Sequence, residues 1–338
     1  MEYRGDLSTI PPLYRYEVLD TVHTLLIVRT RMSLYCSIII CTCDRAKLLE
    51  RALRSITGQD YPIDSLEVLV VDNDPKESAK TVAENVAREF PFPLRYISEN
   101  QQGLSFARNT GVQNALGEIL IFLDDDAYPQ TKNWAKNLVS AFEDLQLTAA
   151  GGDLYPIWER KHKPEWLHSK LLAPLSLTSF KLKEITPLRY PIYPCGANIA
   201  FRKADIDDFT PFSLSLGWAQ DNTMVPGEEA ELCLRLARSG KKIAYVPNAS
   251  VNHFISDQKL TEKWFTKRGY GQGVSFARID KMHTPKLLIY KNLTYHVTMR
   301  GLSSTFAKIA ELFRLRKYVT LFRFLNQRAK GYIHTITE

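Results

Sequence analysis

The stretch Ile119-Leu120-Ile121-Phe122-Leu123-Asp124-Asp125-Asp126 decides how this chain is read: five apolar residues end abruptly in three carboxylates. A short apolar run bounded by polar residues marks a strand buried on both faces, here a central parallel strand. Successive acids at its carboxyl end repel one another unless a cation lies among them. That edge of a parallel sheet is also where α/β proteins bind ligands. Two readings follow. One is a site for a hard divalent cation such as Mg2+ or Mn2+, which takes carboxylate oxygens and substrate phosphates; the other is a solvated acidic loop. The neighbouring strands must separate them.

Working outward, the run Cys36–Cys41 followed by Thr42-Cys43-Asp44-Arg45 reads as a first strand and its loop. Leu48, Leu49, Ala52, Leu53 and Ile56 then recur at helical spacing, which predicts an amphipathic crossover helix over 46–57. Leu66–Val71 is a second strand, ending at Asp72-Asn73-Asp74-Pro75. A helix over 76–90, a strand Leu94–Ser98 and a helix over 104–116 lead back to the opening strand. Such alternation means parallel strands joined by right-handed crossovers, and it brings all three polar clusters to one edge. A helix over 132–146 and a strand over 148–152 extend the unit.

The second half is less regular. Residues 155–195 are rich in Pro, Trp and Tyr, as in a long surface segment, and Tyr193–Arg202 is a strand whose Gly196 allows close approach of backbone or ligand. Glu228, Glu229 and Glu231 open a helix stopped by Gly240, acids on the first turn being favoured by the helix dipole. A strand over 242–246 precedes His253.

With 338 residues and 45% hydrophobic content, the chain can bury one large domain with an appendage. The net charge of +7 is uneven: from His283 onward ten Lys/Arg face only Glu311 and Glu338, leaving the first 282 residues nearly neutral. The five cysteines form no CxxC pair, so neither a zinc site nor a disulfide framework is indicated, and a cytoplasmic setting fits. No apolar run approaches the roughly 18 residues of a membrane span, so membrane contact would be peripheral. Residues 1–34 show no clear period and are set apart as an N-terminal extension.

Taken together, the motifs resemble the family 2 glycosyltransferases. The matching stretches are Ser37-Ile38-Ile39-Ile40 with Thr42-Cys43-Asp44-Arg45, Val70-Val71-Asp72-Asn73, Gly103-Leu104-Ser105-Phe106-Ala107-Arg108-Asn109, Gly117 through Asp126, Gly196-Ala197-Asn198 and Gly227-Glu228-Glu229. They span about 36 to 254, in the family's order. The resemblance implies a GT-A fold over 35–258: an α/β, Rossmann-like domain with a mainly parallel central sheet flanked by helices, nucleotide-sugar-binding in its first half (35–130) and acceptor-binding in its second (131–258). A basic helical region (259–338) follows.

It also implies an inverting, metal-dependent enzyme moving a sugar from a nucleoside diphosphate donor to a hydroxyl of a glycan or lipid-linked acceptor. Asp124 and Asp126 match the DxD acids that engage ribose and cation, with Asp125 between them. Thr42, Asp44, Asp72 and Asn73 match the nucleoside side, although Asp-Asn-Asp-Pro is equally good turn chemistry. Arg108 matches a phosphate- or acid-contacting residue, and otherwise reads as a solvated charge on its helix. Glu229 stands where the family's base is usually Asp, one methylene shorter, so Glu228 also competes for the role; without the resemblance both are simply first-turn residues. Gly196 and Asn198 would lie beside the sugar, with Trp218 as an acceptor platform or a packing residue. His253 falls where a late residue can approach metal or phosphate, and otherwise reads as structural.

In the tail, Phe306, Ile309, Ala310 and Phe313 predict one basic amphipathic helix between Ser304 and Leu325. It can lie on an anionic membrane or pack on the catalytic domain. The basic side has few interleaved aromatics suited to base stacking, which argues against nucleic acid. No GxGxxG follows the first strand, which disfavours a dehydrogenase. A nucleotidyltransferase would need a Gly-rich, Arg-bearing first loop, which is also missing.

Overall fold

β1 (Cys36–Thr42) pairs in parallel with β2 (Leu66–Asp72), Cys36 lying against Leu66 and Thr42 against Asp72, and on its other side with β4 (Ile119–Leu123). β3 (Leu94–Ser98) adds to the free side of β2. The connections are α1 (Ala46–Ile56), α2 (Lys80–Ala87) and α3 (Leu104–Asn114). The computed structural model describes residues 34–207, 211–218 and 224–338. The expected N-terminal extension, up to residue 33, lies outside the described residues.

Every residue of β1, β2 and β4 except Cys41 is buried, which is why these strands are continuous apolar runs without alternation. The sheet then turns mixed. After β5 (Ala127–Pro129), α4 (Trp134–Leu145), β6 (Ala149–Gly151), β7 (Leu154–Trp158) and β8 (Thr186–Leu188), strand β9 (Asn198–Arg202) pairs antiparallel with β4. The short helix α5 (Lys203–Asp207), a β10 (Gly217–Trp218) and β11 (Met224–Val225) hairpin, α6 (Glu228–Arg238), β12 (Ile243–Tyr245) and β13 (Val251–Ile255) complete this half. The full order is β3-β2-β1-β4-β9-β6-β12-β8, with a separate β5-β13-β7 sheet. The segment expected as an irregular surface run thus contributes β7 and β8.

Three helices close the chain: α7 (Glu262–His283), α8 (Lys286–Leu312) and α9 (Arg316–Thr337). The single helix expected between Ser304 and Leu325 is two. Arg314 takes a left-handed conformation (φ 54°), and the chain folds back so that Phe306 stacks on Phe322 and His296 on Tyr332. No Gly or Pro announces this turn. Residues 35–338 form one compact unit, so the tail is packed onto the α/β part of the chain.

Glycines explain how closely it packs. A Cβ at Gly273 would lie 1.9 Å from the Arg328 carbonyl oxygen, one at Gly331 2.1 Å from that of Tyr270, and one at Gly271 1.6 Å from that of Met224. The first two let α7 and α9 touch backbone to backbone, and the third lets α7 press on β11. Gly273→Ala should therefore force the helices apart and cost about 2 kcal/mol or more. A melting temperature within a degree of wild type would contradict this packing.

Candidate active site

The carboxyl ends of β1, β2 and β4 meet as expected. Thr42 Oγ1 donates to Asp125 Oδ2 (2.7 Å), and the Asn73 backbone N–H donates to the Thr42 carbonyl (2.8 Å). The antiparallel pairing of β13 with β5 sets His253 opposite Ala127 and ties the Phe254 N–H to the Asp126 carbonyl. His253 Nε2 consequently lies 3.0 Å from Asp126 Oδ1. Asp124, Asp126 and His253 bring their ligand atoms within 4.8 Å of one another.

A divalent cation fits this set. Carboxylate oxygens with one imidazole nitrogen suit Mn2+ or Mg2+. Asp124 is about one-third exposed, which leaves a face open to water or a substrate oxygen. His253 Nδ1, moreover, is buried without a hydrogen-bond partner, and a buried polar atom left unpaired calls for an explanation.

The negative charge is balanced from three sides. Arg45 grips Asp125 and Asp126 together, and Lys259 reaches Asp126 Oδ2 at 3.0 Å. Burial alone would raise the Asp126 carboxyl, but His253, Lys259 and Arg45 outweigh it and hold the group well below the usual range, so it is ionised. Asp125 goes the other way: burial pushes it up to about 7 against the pull of Arg45, with the charge of Asp126 adding to the rise.

Arg108, nearly fully buried, ties the other half of the site together. It forms an ion pair with Glu228 at the start of α6, meets Asp124 Oδ1 at 3.4 Å and donates to the Gly196 carbonyl at 3.2 Å. Its guanidinium packs over Phe122 and Phe212. Gly196 must lack a side chain here, since a Cβ would sit 2.7 Å from the Arg108 guanidinium. Burial raises Glu228 to about 7, with neighbouring Glu229 adding to the rise and Arg108 opposing it. Glu229 is only half-buried and accepts a long bond (3.4 Å) from the Gly196 N–H. The tail reaches this corner too: Arg268 of α7 is lowered by burial against the opposing pull of Glu229 and Glu228.

Several sequence assignments meet a different geometry. Asp72 is fully buried, and its carboxylate accepts from the Asp74 and Ala79 N–H groups and the Tyr96 hydroxyl. Asn73 spends its amide on the Glu99 and Gln101 carbonyls and the Gly103 N–H. Both side chains therefore hold loops rather than face an opening, the turn chemistry that Asp-Asn-Asp-Pro allows. Asn198 is engaged in the same way: it is fully buried, accepting from Trp134 Nε1 and donating to the Ala249 carbonyl. Asp44 is exposed on the rim of the first loop, at φ 54°. The Trp218 side chain lies outside the described residues. Missed were Arg45 and Lys259. Arg45 was visible as the cation closing the first loop, whereas Lys259 lies 133 residues from Asp126 and only the fold brings it there.

The family model described as "Glycosyl transferase family 2" matches residues 37–209. The succinoglycan biosynthesis protein ExoM of Rhizobium meliloti is 29% identical over 258 residues, covering 74% of this chain and 77% of its own length. A glucosyl-dolichyl phosphate glucuronosyltransferase of Haloferax volcanii is 23% identical over 251 residues, covering 73% and 78%. Among solved structures, the mannosyltransferase PcManGT of Pyrobaculum calidifontis, in complex with GDP-Man and Mn2+, superposes with a TM-score of 0.59 at 18% identity over 90% of this chain and 88% of that one. A likeness at that identity shows the fold alone.

Removing Arg108 would strand Glu228 in the interior. Arg108→Ala should cost about 3 kcal/mol at pH 8, where Glu228 is ionised, and less at pH 5.5, where the carboxyl, already raised to about 7, takes up a proton. Urea unfolding at the two pH values checks this; an equal loss at both would count against a buried charge pair.

Proposed function

Since the chain belongs to glycosyl transferase family 2 and carries the GT-A fold, we propose that it is an inverting, metal-dependent glycosyltransferase. It moves a sugar from a nucleoside diphosphate donor to a hydroxyl of a glycan or lipid-linked acceptor. The observation that carries the reading is the convergence of Asp124, Asp126 and His253 at the end of β4. The names of the relatives, a succinoglycan biosynthesis protein and a dolichyl-phosphate-linked glucuronosyltransferase, support polysaccharide or glycolipid assembly. All five cysteines are free, which fits a reducing cytoplasmic setting.

Asp124, Asp126 and His253 would hold a divalent cation, which would supply positive charge to offset that developing on the departing diphosphate. Around it the chain's own groups do the rest. Arg45 and Lys259 set two positive groups on one wall, where phosphate oxygens are best received. Thr42 holds Asp125 by a hydrogen bond, and with it the turn that aims Asp124 and Asp126. Glu229 is the base. It is the half-exposed carboxylate of its pair, whereas Glu228 is buried and committed to Arg108 and the Gly227 N–H. A carboxylate in reach of the acceptor hydroxyl takes its proton as the oxygen attacks the anomeric carbon. Keeping Glu228 raised toward neutrality by burial limits the repulsion between the two adjacent acids.

A panel of UDP-, GDP- and dTDP-sugars with Mn2+ or Mg2+, read by release of nucleoside diphosphate, tests the reading. Chelation should abolish release and added cation restore it; release that is unaffected by chelator refutes the metal assignment. Asp126→Ala should lose turnover together with metal binding. Glu229→Gln should lower kcat by about a hundredfold or more while leaving the donor dissociation constant unchanged. Wild-type turnover in Glu229→Gln would remove it as the base.

A further inference from the structure

Helix α8 turns its apolar side outward. His296, Ser303, Ala307 and Ala310 form its buried face. On the flank about a quarter-turn away Leu288, Tyr295, Leu302 and Ile309, spaced seven residues apart, are each about half-exposed, and Leu287 and Leu312, opposite the buried face at the two ends, are 81% and 78% exposed. The helix has 27 residues, about 40 Å of continuous surface at 1.5 Å per residue. Apolar side chains aligned in this way on a soluble domain mark a contact surface.

The charge around that face says what covers it. Lys286, Lys291, Arg300 and Lys308 lie on α8, and Arg314, Arg316 and Lys317 follow at its turn into α9. The one acid on the helix, Glu311, is already engaged by Arg323. On its inner flank a cavity of about 490 Å³ is lined by Arg300, Lys330 and His334 with Tyr270, Ile333 and Thr337; His334 is paired with Glu338, which leaves Arg300 and Lys330 to face an anionic headgroup. A second copy would bring like charges together, and lysine is depleted at the centre of protein interfaces. Among the described residues no helix is long and apolar enough to cross a membrane. A long helix with exposed Leu, Ile and Tyr on one side, and with Lys291 beside them and Lys286, Arg300 and Lys308 on the other, lies in the plane of the headgroups.

We propose that α8 is an interfacial membrane helix that docks the protein on an anionic lipid surface through its Leu288, Tyr295, Leu302 and Ile309 face. The contact belongs to α8, and the corresponding part of α9 is not available for it, because Val319, Leu321 and Phe324 are buried against the body of the protein. The inference rests on the surface of the tail and is independent of the donor chemistry, so a failure of either leaves the other standing.

Full-length protein should co-sediment with phosphatidylcholine vesicles containing one-third phosphatidylglycerol, and about tenfold less with phosphatidylcholine alone. Leu302→Glu with Ile309→Glu, and separately Lys291→Glu with Lys308→Glu, should each reduce binding about tenfold, while melting temperature and donor binding stay at wild-type values. Equal sedimentation with the two vesicle types would overturn the proposal, as would double variants that bind like wild type. So would a concentration-dependent dimer, split by Leu302→Glu with Ile309→Glu, in a protein that does not bind vesicles.

Discussion

The structure depends on how it compensates carboxylates crowded at the end of one buried strand. Asp124, Asp125 and Asp126 follow β4 without a break, and Glu228 and Glu229 are brought against them by α6. Charges taken out of water are costly unless each is paired. Arg45 on the first loop, Arg108 on α3 and Lys259 ahead of α7 supply that pairing from three separate elements. The same arrangement splits the acids electrostatically: Asp126 is held ionised, while Asp125 and Glu228 are pushed toward neutrality. A site built this way keeps the Asp124 and Asp126 carboxylates together without an uncompensated charge beneath them.

Much of this rests on elements outside the main sheet. β13 joins β5 and β7 in a small sheet of its own, and that pairing sets His253 beside Asp126. The tail braces α6, with His283 of α7 bonded to Glu231 of α6 at 2.6 Å and Arg238 donating to the His283 carbonyl. α7 also carries Arg268 toward Glu229 and Glu228. α8 thus presents an apolar surface outward while its neighbour α7 packs on α6 beside Glu228 and Glu229. A membrane-docked α8 would set those carboxylates at a fixed height above the lipid.

The polar residues whose side chains turn to the backbone share a cause. Asp72, Asn73 and Asn198 lie at strand ends beside the site, where short polar side chains serve either a ligand or the backbone. Each was claimed by buried N–H and carbonyl groups that would otherwise go unpaired. Little in the local sequence distinguishes the two uses, because apart from the Asp74 N–H the cited partners are 7 to 64 residues away. Arg108 carried the opposite ambiguity: a charge on a helix usually faces solvent, and here it is buried because three elements converge on its guanidinium.

By itself the sequence determined the α/β class, the strand and helix order through β4, the polar edge and the acids Asp124 and Asp126, because apolar periodicity and strand-end chemistry are local properties. Tertiary structure decided that β9 runs antiparallel beside β4, that His253, Lys259 and Arg45 close around Asp126, that Glu228 and not Glu229 is buried, and that α8 turns its apolar face outward. Those are outcomes of long-range pairing and desolvation, which depend on which surfaces meet and leave no mark on the residues' own spacing.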